Sequence, residues 1–264
     1  MLIDAPRIAA ALRELGVGPT DTLYVHSGLQ GSGRVAGARS RDKLDTIVNG
    51  LTEAVRDGTL ILPTFTYSFC HGEVFDRDES PSTVGLLGEH FRRLPGVRRT
   101  SDPIFSSAVL GPVDPAFEAP LFTVGDKECF GPQSVFAQLI ARDGRILFYD
   151  VGFGFCTFIH HVEQQLGVDY RTLKPFRGTV REGRHEQEAV AHFNVRKLVP
   201  GDDPYLGPLG DVLLAEGGAR RTTIPDGPAL LVADCRAIAE HTARCLARNP
   251  DFLIERGHAA AAVA

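Results

Sequence analysis

Apolar positions along the chain change period several times, and each change marks an element. Over residues 5–15, Ile8, Leu12 and Leu15 recur at helical spacing behind the start signal Asp4, Ala5 and Pro6, and Gly16 to Pro19 ends the run. Residues 22–26 are rich in β-formers and read as a short strand. A loop of small residues follows over 27–37, then a second helix over about 41–56. Residues 59–66 are almost continuously apolar, the signature of a strand buried on both faces beneath helices. Residues 67–83 are polar, irregular and long, which suits a functional loop better than a connector.

Helical spacing returns at 85–94 and a strand at 106–111. Residues 145–151 form a second strongly apolar strand, which passes through Gly152, Phe153 and Gly154 into helical spacing over 156–166. Residues 179–199 have a period nearer two and predict hairpin strands; a strand at 229–232, a helix at 235–248 and a frayed alanine-rich tail at 259–264 complete the chain. The alternation of helix and strand predicts an α/β fold. No repeat and no linker divides the chain, so a single domain over 1–258 is expected.

Composition narrows the function classes without naming one. The 264 residues are 43% hydrophobic, enough for a sizeable core. Lys plus Arg number 28 against 33 Asp plus Glu, a net charge of −5, so no general attraction for nucleic-acid phosphates is expected. No run reaches the ~18 apolar residues of a membrane span, and Met1 to Asp4 opens no signal peptide. Five cysteines without close pairing predict free thiols in a reducing cytoplasm.

The sharpest chemical feature is Thr157-Phe158-Ile159-His160-His161-Val162-Glu163, opening a helix directly after a buried strand. Residues three apart share a helix face, so His160 and Glu163 can pair, while His161 is turned about 100° away. A histidine beside a carboxylate suits a general base, because the carboxylate fixes its tautomer and favours the imidazolium. On spacing alone, the commoner explanation of such a pair is a core histidine near a solvated glutamate. Cys156, His160, His161 and Glu163 also offer ligand atoms, but only Cys156 and His160 share a face and no further ligand motif joins them. No metal is expected, since a structural zinc site takes about four ligands.

Two loops add further options. Residues 26–33 follow a strand with many exposed backbone N–H groups, as in loops that cradle phosphate or a carbonyl oxygen. Gly31, Gly33 and Ala36 loosely fit a dinucleotide fingerprint, but they lie several residues beyond the strand's end. That nucleotide-binding reading needs an acidic ribose partner about 20 residues on, where Glu53 falls on the predicted helix instead of a strand end. The loop from His71 to Glu79 carries four carboxylates, which could attract a cationic amine or simply form a solvated turn.

Taken in order, these motifs resemble the aminoglycoside 3-N-acetyltransferase family, acyl-CoA-dependent enzymes distinct from the GNAT fold. Val25-His26-Ser27-Gly28-Leu29 with Gly33 resembles the family's early "VHSSL…G" loop, and Gly58 to Thr66 its "GTLVMPTFT" strand. Phe75-Asp76, Ser80-Pro81-Ser82 and Gly85 to Glu89 are similar to "FD…SPS..G.L.E". Pro95-Gly96-Val97-Arg98-Arg99 with Pro103 and Ser106 follow "PGV.RS.HP..S". Phe130-Gly131-Pro132-Gln133-Ser134 and Thr157, His160, Glu163 follow "FG..S" and "T..H..E". The likeness is good over about 5–175 and thin beyond. Gly28 stands where the family has a second serine, Thr100 replaces the serine after Arg99, and Asp102 stands before Pro103 where the family has histidine.

The resemblance implies a single α/β/α-layered domain with a β-rich elaboration near the C-terminal third, and transfer from acetyl-CoA or another acyl-CoA to an amine. It implies His160 as base with Glu163 behind it. His26, Ser27, Gly28, Leu29, Ser32, Gly33, Ser106 and Ser107 fall on the acyl-CoA side, and Thr66, Glu73, Asp76 and Thr157 on the amine side. The partner would be a small-molecule amine: an amino sugar, an aminoglycoside or a related compound. Direct transfer is expected, because no convincing nucleophile is visible. A catalytically silent, ligand-binding relative is the rival within the family. Oligomeric state is not legible, and a homodimer is left open.

Overall fold

A computed structural model describes residues 2–262, with the side chains of 259–262 excepted. Helix α1 (Ala5–Glu14) starts where the sequence signals it, with the Asp4 carboxylate accepting from the Arg7 amide at 3.1 Å. Strand β1 (Thr22–Ser27), helix α2 (Ser40–Ala54) and strand β2 (Thr59–Pro63) follow, then β3 (Phe75–Asp76), α3 (Leu86–Phe91), β4 (Arg98–Arg99) and β5 (Ser107–Leu110). The middle of the chain forms α4 (Pro115–Phe122), β6 (Lys127–Glu128), α5 (Val135–Ala141), β7 (Arg145–Tyr149) and α6 (Ile159–Leu166). The long strands β8 (Arg171–Glu182) and β9 (His185–Arg196) precede α7 (Gly207–Ala215), β10 (Ala219–Thr223), β11 (Ala229–Asp234) and α8 (Cys235–Arg248).

The main sheet has the order β10-β11-β7-β1-β2-β5-β4. Its centre, β7-β1-β2, is parallel, and antiparallel strands flank it on both sides. Both faces are buried. Leu23, Val25, Leu60, Leu62 and Leu147 join Ile8, Leu12, Ile47 and Leu51 of α1 and α2 in one core. Tyr24, Ile61, Ile146 and Phe148 point the other way, into a second core with Leu139, Ile159, Leu213 and Ile238 of α5 to α8. The continuous apolar runs of the central strands are thus a sheet covered on both sides.

A second sheet, β3-β8-β9-β6, is built on the β8–β9 hairpin, in register from Arg171↔Arg196 to Glu182↔His185. Phe75, Val180 and Ala191 carry it into the same core as Tyr24 and Phe148. This is the β-rich elaboration expected near the C-terminal third, although it begins at 171 and not at 179. The first strand is the harder half to see, because Lys174, Pro175 and Arg177 break its alternation and much of it is exposed.

Other boundaries also differ from expectation. The 59–66 strand ends at Pro63, yet the Thr64 and Thr66 amides still donate to Ser106 and Ile104 carbonyls, so the chain stays extended. Helix α6 begins at Ile159, after a 3-10 turn over Phe153–Phe155, which leaves Thr157 just outside it. Helices α4, α5 and α7 and strand β10 were not read from the pattern, being short or, in α4, interrupted by Pro120. Among the described residues no helix is long and apolar enough to cross a membrane. The tail expected to fray over 259–264 lies, for its side chains and its last two residues, outside the described residues.

Candidate functional site

Strands β1 and β7 run side by side from Leu23↔Arg145 to Ser27↔Tyr149, and both deliver their loops at the same end of the sheet. In open α/β sheets, ligands bind in the crevice outside these carboxyl ends. A cavity of about 400 Å³ opens there, with His26 and Ser27 at the end of β1, Phe65 just past β2, Thr157 just before α6 and His160 in its first turn.

His160 Nδ1 lies 2.7 Å from Glu163 Oε2. Glu163 is 1% exposed and has two more partners: the Tyr170 hydroxyl donates to Oε1 at 3.0 Å, and Arg171 Nε stands 2.6 Å from Oε2 as an ion pair. Burial alone would raise the Glu163 pKa, but the hydrogen bond from His160 and the charges of His160 and Arg171 outweigh it, so the group stays a carboxylate. It can then only accept, which puts a proton on His160 Nδ1 and leaves Nε2 with its lone pair. Burial lowers the His160 pKa below its ordinary value, against the opposing pull of Glu163, so the ring is neutral at pH 7.

His26 is also neutral, pushed down to about 3 by burial and by the neighbouring His160. Its Nε2 accepts from the Thr157 amide at 3.4 Å, and its ring stacks on Phe148. His161 points elsewhere and donates from Nδ1 to the Phe130 carbonyl at 2.7 Å. Cys156 lines the cavity, but burial pushes its thiol up to about 12, so it offers no thiolate.

The remaining sequence-derived residues spread more widely. Gly28 donates to the Tyr149 carbonyl at 2.8 Å, Gly31 to the Asp150 carboxylate and Ser32 to the Leu29 carbonyl, so these three loop amides are already committed. Leu29 packs on the α1–α2 core, and the Gly33 carbonyl accepts from Lys43 Nζ. Ser106 and Ser107 are fully buried; the Ser106 hydroxyl is bound to the Thr64 carbonyl and Arg99, and the Ser107 amide to the Thr100 hydroxyl. Thr66 is buried against the Ser68 hydroxyl at 3.0 Å, between Phe65 and Tyr67, which do reach the cavity. Glu73 is exposed and outside the cavity lining. The Asp76 carboxylate accepts the amides of Asp78 and Glu79 and faces Arg181 at 3.7 Å.

Tyr170 and Arg171, which hold Glu163, were missed by sequence reasoning. Their position a few residues past Gly167, where α6 ends in a left-handed residue, carries no local sign that the chain turns back to the helix.

A neutral histidine, held by a buried carboxylate at a cavity above a parallel sheet, is equipped for acid–base chemistry. A family model described as aminoglycoside 3-N-acetyltransferase matches residues 24–247. The chain belongs to this family of N-acetyltransferases, and the match includes the C-terminal third, where the motifs thin out. Aminoglycoside N(3)-acetyltransferase IV of Salmonella sp is 33% identical over 167 residues, 60% of this chain and 58% of that protein. Aminoglycoside N(3)-acetyltransferase VII of Streptomyces paromomycinus is 29% identical over 83% of each chain. The fold is shared with AAC-IIIb in binary complex with CoASH, at TM-score 0.79 and 21% identity over 94% of this chain and 97% of that one. It is shared also with a histidine-to-alanine mutant of AAC(3)-IVa in complex with apramycin, at TM-score 0.74 and 22% identity over 95% of each.

Proposed function

We propose that the protein transfers an acyl group, in the simplest case acetyl from acetyl-CoA, to a primary amine of an amino sugar, aminoglycoside or related small amine. The observation that carries this reading is His160 lining the cavity with Glu163 behind it in a chain of this family. The CoASH and apramycin named with structures of the same fold support the two substrate classes.

The amine is protonated near neutrality and must lose a proton before its lone pair can attack. That first proton goes to solvent; His160 Nε2 takes the second one, from the nitrogen as it attacks, and the resulting imidazolium is held by Glu163. The amine nitrogen bonds to the thioester carbonyl carbon, and the carbon–sulfur bond then breaks. The proton returns from His160 to the departing thiolate, so product amide and free CoA thiol leave in balance. No acyl-enzyme is needed, in keeping with the raised pKa of the Cys156 thiol. The free cysteines fit work in a reducing cytoplasm.

The test is amine-dependent release of free thiol from acetyl-CoA. His160→Ala should lower kcat by about 10³-fold, within the usual range for a lost general base, while acetyl-CoA still binds by calorimetry. Thiol release unaffected by His160→Ala, or a stable acyl-protein formed without amine, would overturn the mechanism.

A further inference from the structure

We infer that His26 is a second catalytic histidine, whose Nδ1–H donates to the thioester carbonyl oxygen as that oxygen becomes negative during transfer. The inference rests on the acyltransfer reading above and fills a role which that reading leaves open.

When the amine nitrogen bonds to the carbonyl carbon, the π electron pair of the carbonyl moves onto oxygen, and a fixed donor must meet it there. The loop of small residues after β1 does not supply that donor. Of residues 26–33 only His26 and Ser27 line the cavity, and the Gly28, Gly31 and Ser32 amides are spent within the fold. Ser106 and Ser107 are fully buried and do not line it either.

His26 has the required geometry. It stands on β1 in register with Phe148 of β7, and its ring stacks on Phe148 at 5.6 Å between centroids. On its other contact it tilts against Tyr24 at 5.2 Å. Its Nε2 accepts from the Thr157 amide, so in the neutral ring the proton sits on Nδ1. Nδ1 has no hydrogen-bond partner among the described residues, and the residue lines the cavity. Thr157 ties the two imidazoles together: its amide binds His26, and its carbonyl accepts the His160 amide at 3.1 Å. A base for the nitrogen and a donor for the oxygen thus belong to one cavity, linked through one residue, as addition to a carbonyl requires.

His26 keeps its proton throughout. As the intermediate collapses, the electron pair returns from oxygen to carbon, the carbon–sulfur bond breaks, and the thiolate takes its proton from His160. The Ser27 and Thr157 hydroxyls also line the cavity, but no hydrogen bond fixes either among the described residues. The imidazole is held by two rings and an amide, and a donor fixed beforehand costs no reorganisation during reaction.

The experiment compares His26→Leu with His26→Asn, in which the side-chain amide nitrogen can take the place of Nδ1. Thiol release from acetyl-CoA by the full chain is followed with apramycin, glucosamine and 2-phenylethylamine. With the best of these acceptors, His26→Leu should lower kcat about 100-fold and change the acetyl-CoA Kd, read by calorimetry, by less than about threefold. His26→Asn should recover about tenfold of that loss. Nitrogen NMR of the parent chain should show His26 as the Nδ1–H tautomer, a readout that holds even where a variant fails to fold. An Nε2–H tautomer, equal rates for the two variants, or a loss confined to acetyl-CoA binding would overturn the inference and leave acyltransfer by His160 standing. No thiol release by the parent chain with any of the three amines would remove the acyltransfer reading and the inference with it.

Discussion

Glu163 meets two hydrogen-bond donors, His160 and Tyr170, and one cation, Arg171, and each can be removed singly. Glu163→Gln keeps the size but loses the charge that favours the His160 imidazolium. The expected outcome is a kcat/KM lower by about 10 to 100-fold. Because Glu163 pulls the His160 pKa upward against burial and the Arg171 charge, its loss leaves those two unopposed, and the acid limb of the pH–rate profile moves to lower pH. An acid limb that stays in place would show that the carboxylate is not coupled to the base. Arg171→Met leaves Glu163 buried with one cation fewer and should cost about 3 kcal/mol of stability in urea unfolding. A midpoint equal to that of the parent chain would remove Arg171 from the role of counter-charge.

At the scale of elements, the turn joining β1 to its loop explains one departure from the family pattern. A Cβ on Gly28 would come within 2.7 Å of the Asp150 carbonyl and 2.9 Å of a Val151 methyl. Gly28→Ser, which restores the family's serine, should therefore destabilise the protein by about 1 to 3 kcal/mol through overpacking, unlike an ordinary surface change. Unchanged thermal unfolding would mean that the 150–151 turn yields freely. The central strands and the two N-terminal helices were legible because each has a strong local period, whereas the spacing of His160 and Glu163 showed only that they could share a face, and the resemblance singled the pair out. The first half of the β8–β9 hairpin was not, since its exposed residues and Pro175 break the alternation. Nor was the link from Tyr170 and Arg171 to Glu163 legible, because a contact made after a chain reversal leaves no periodic trace. The loop at 26–33 was readable as a loop, but the use of its amides was not, because Asp150 comes from a strand end over a hundred residues later.

Over the whole molecule, neutral buried histidines set the response to acid. His26, His160 and His161 all have pKa values below the ordinary 6.5, chiefly through burial. Below pH 6.5 the unfolded chain takes up protons that the folded one refuses, so stability is present above that pH and is lost as pH falls. Glu89 extends the loss below 4.5: burial opposes its charge, but Arg92 and the Ser82 amide hold it at about 2. Asp102, raised by burial, works in the opposite direction. Urea unfolding at about pH 5 should show a stability about 3 kcal/mol lower than at neutral pH. Equal midpoints at the two pH values would contradict the assignment. The β8–β9 hairpin has a consequence of another kind. Its root is tied to Glu163 through Tyr170 and Arg171, while its far end turns at Gly183 between exposed residues. Root and tip therefore differ in what they tolerate: a fluorescent tag at the tip is expected to leave the fold unchanged, whereas a substitution at the root disturbs the partners of Glu163.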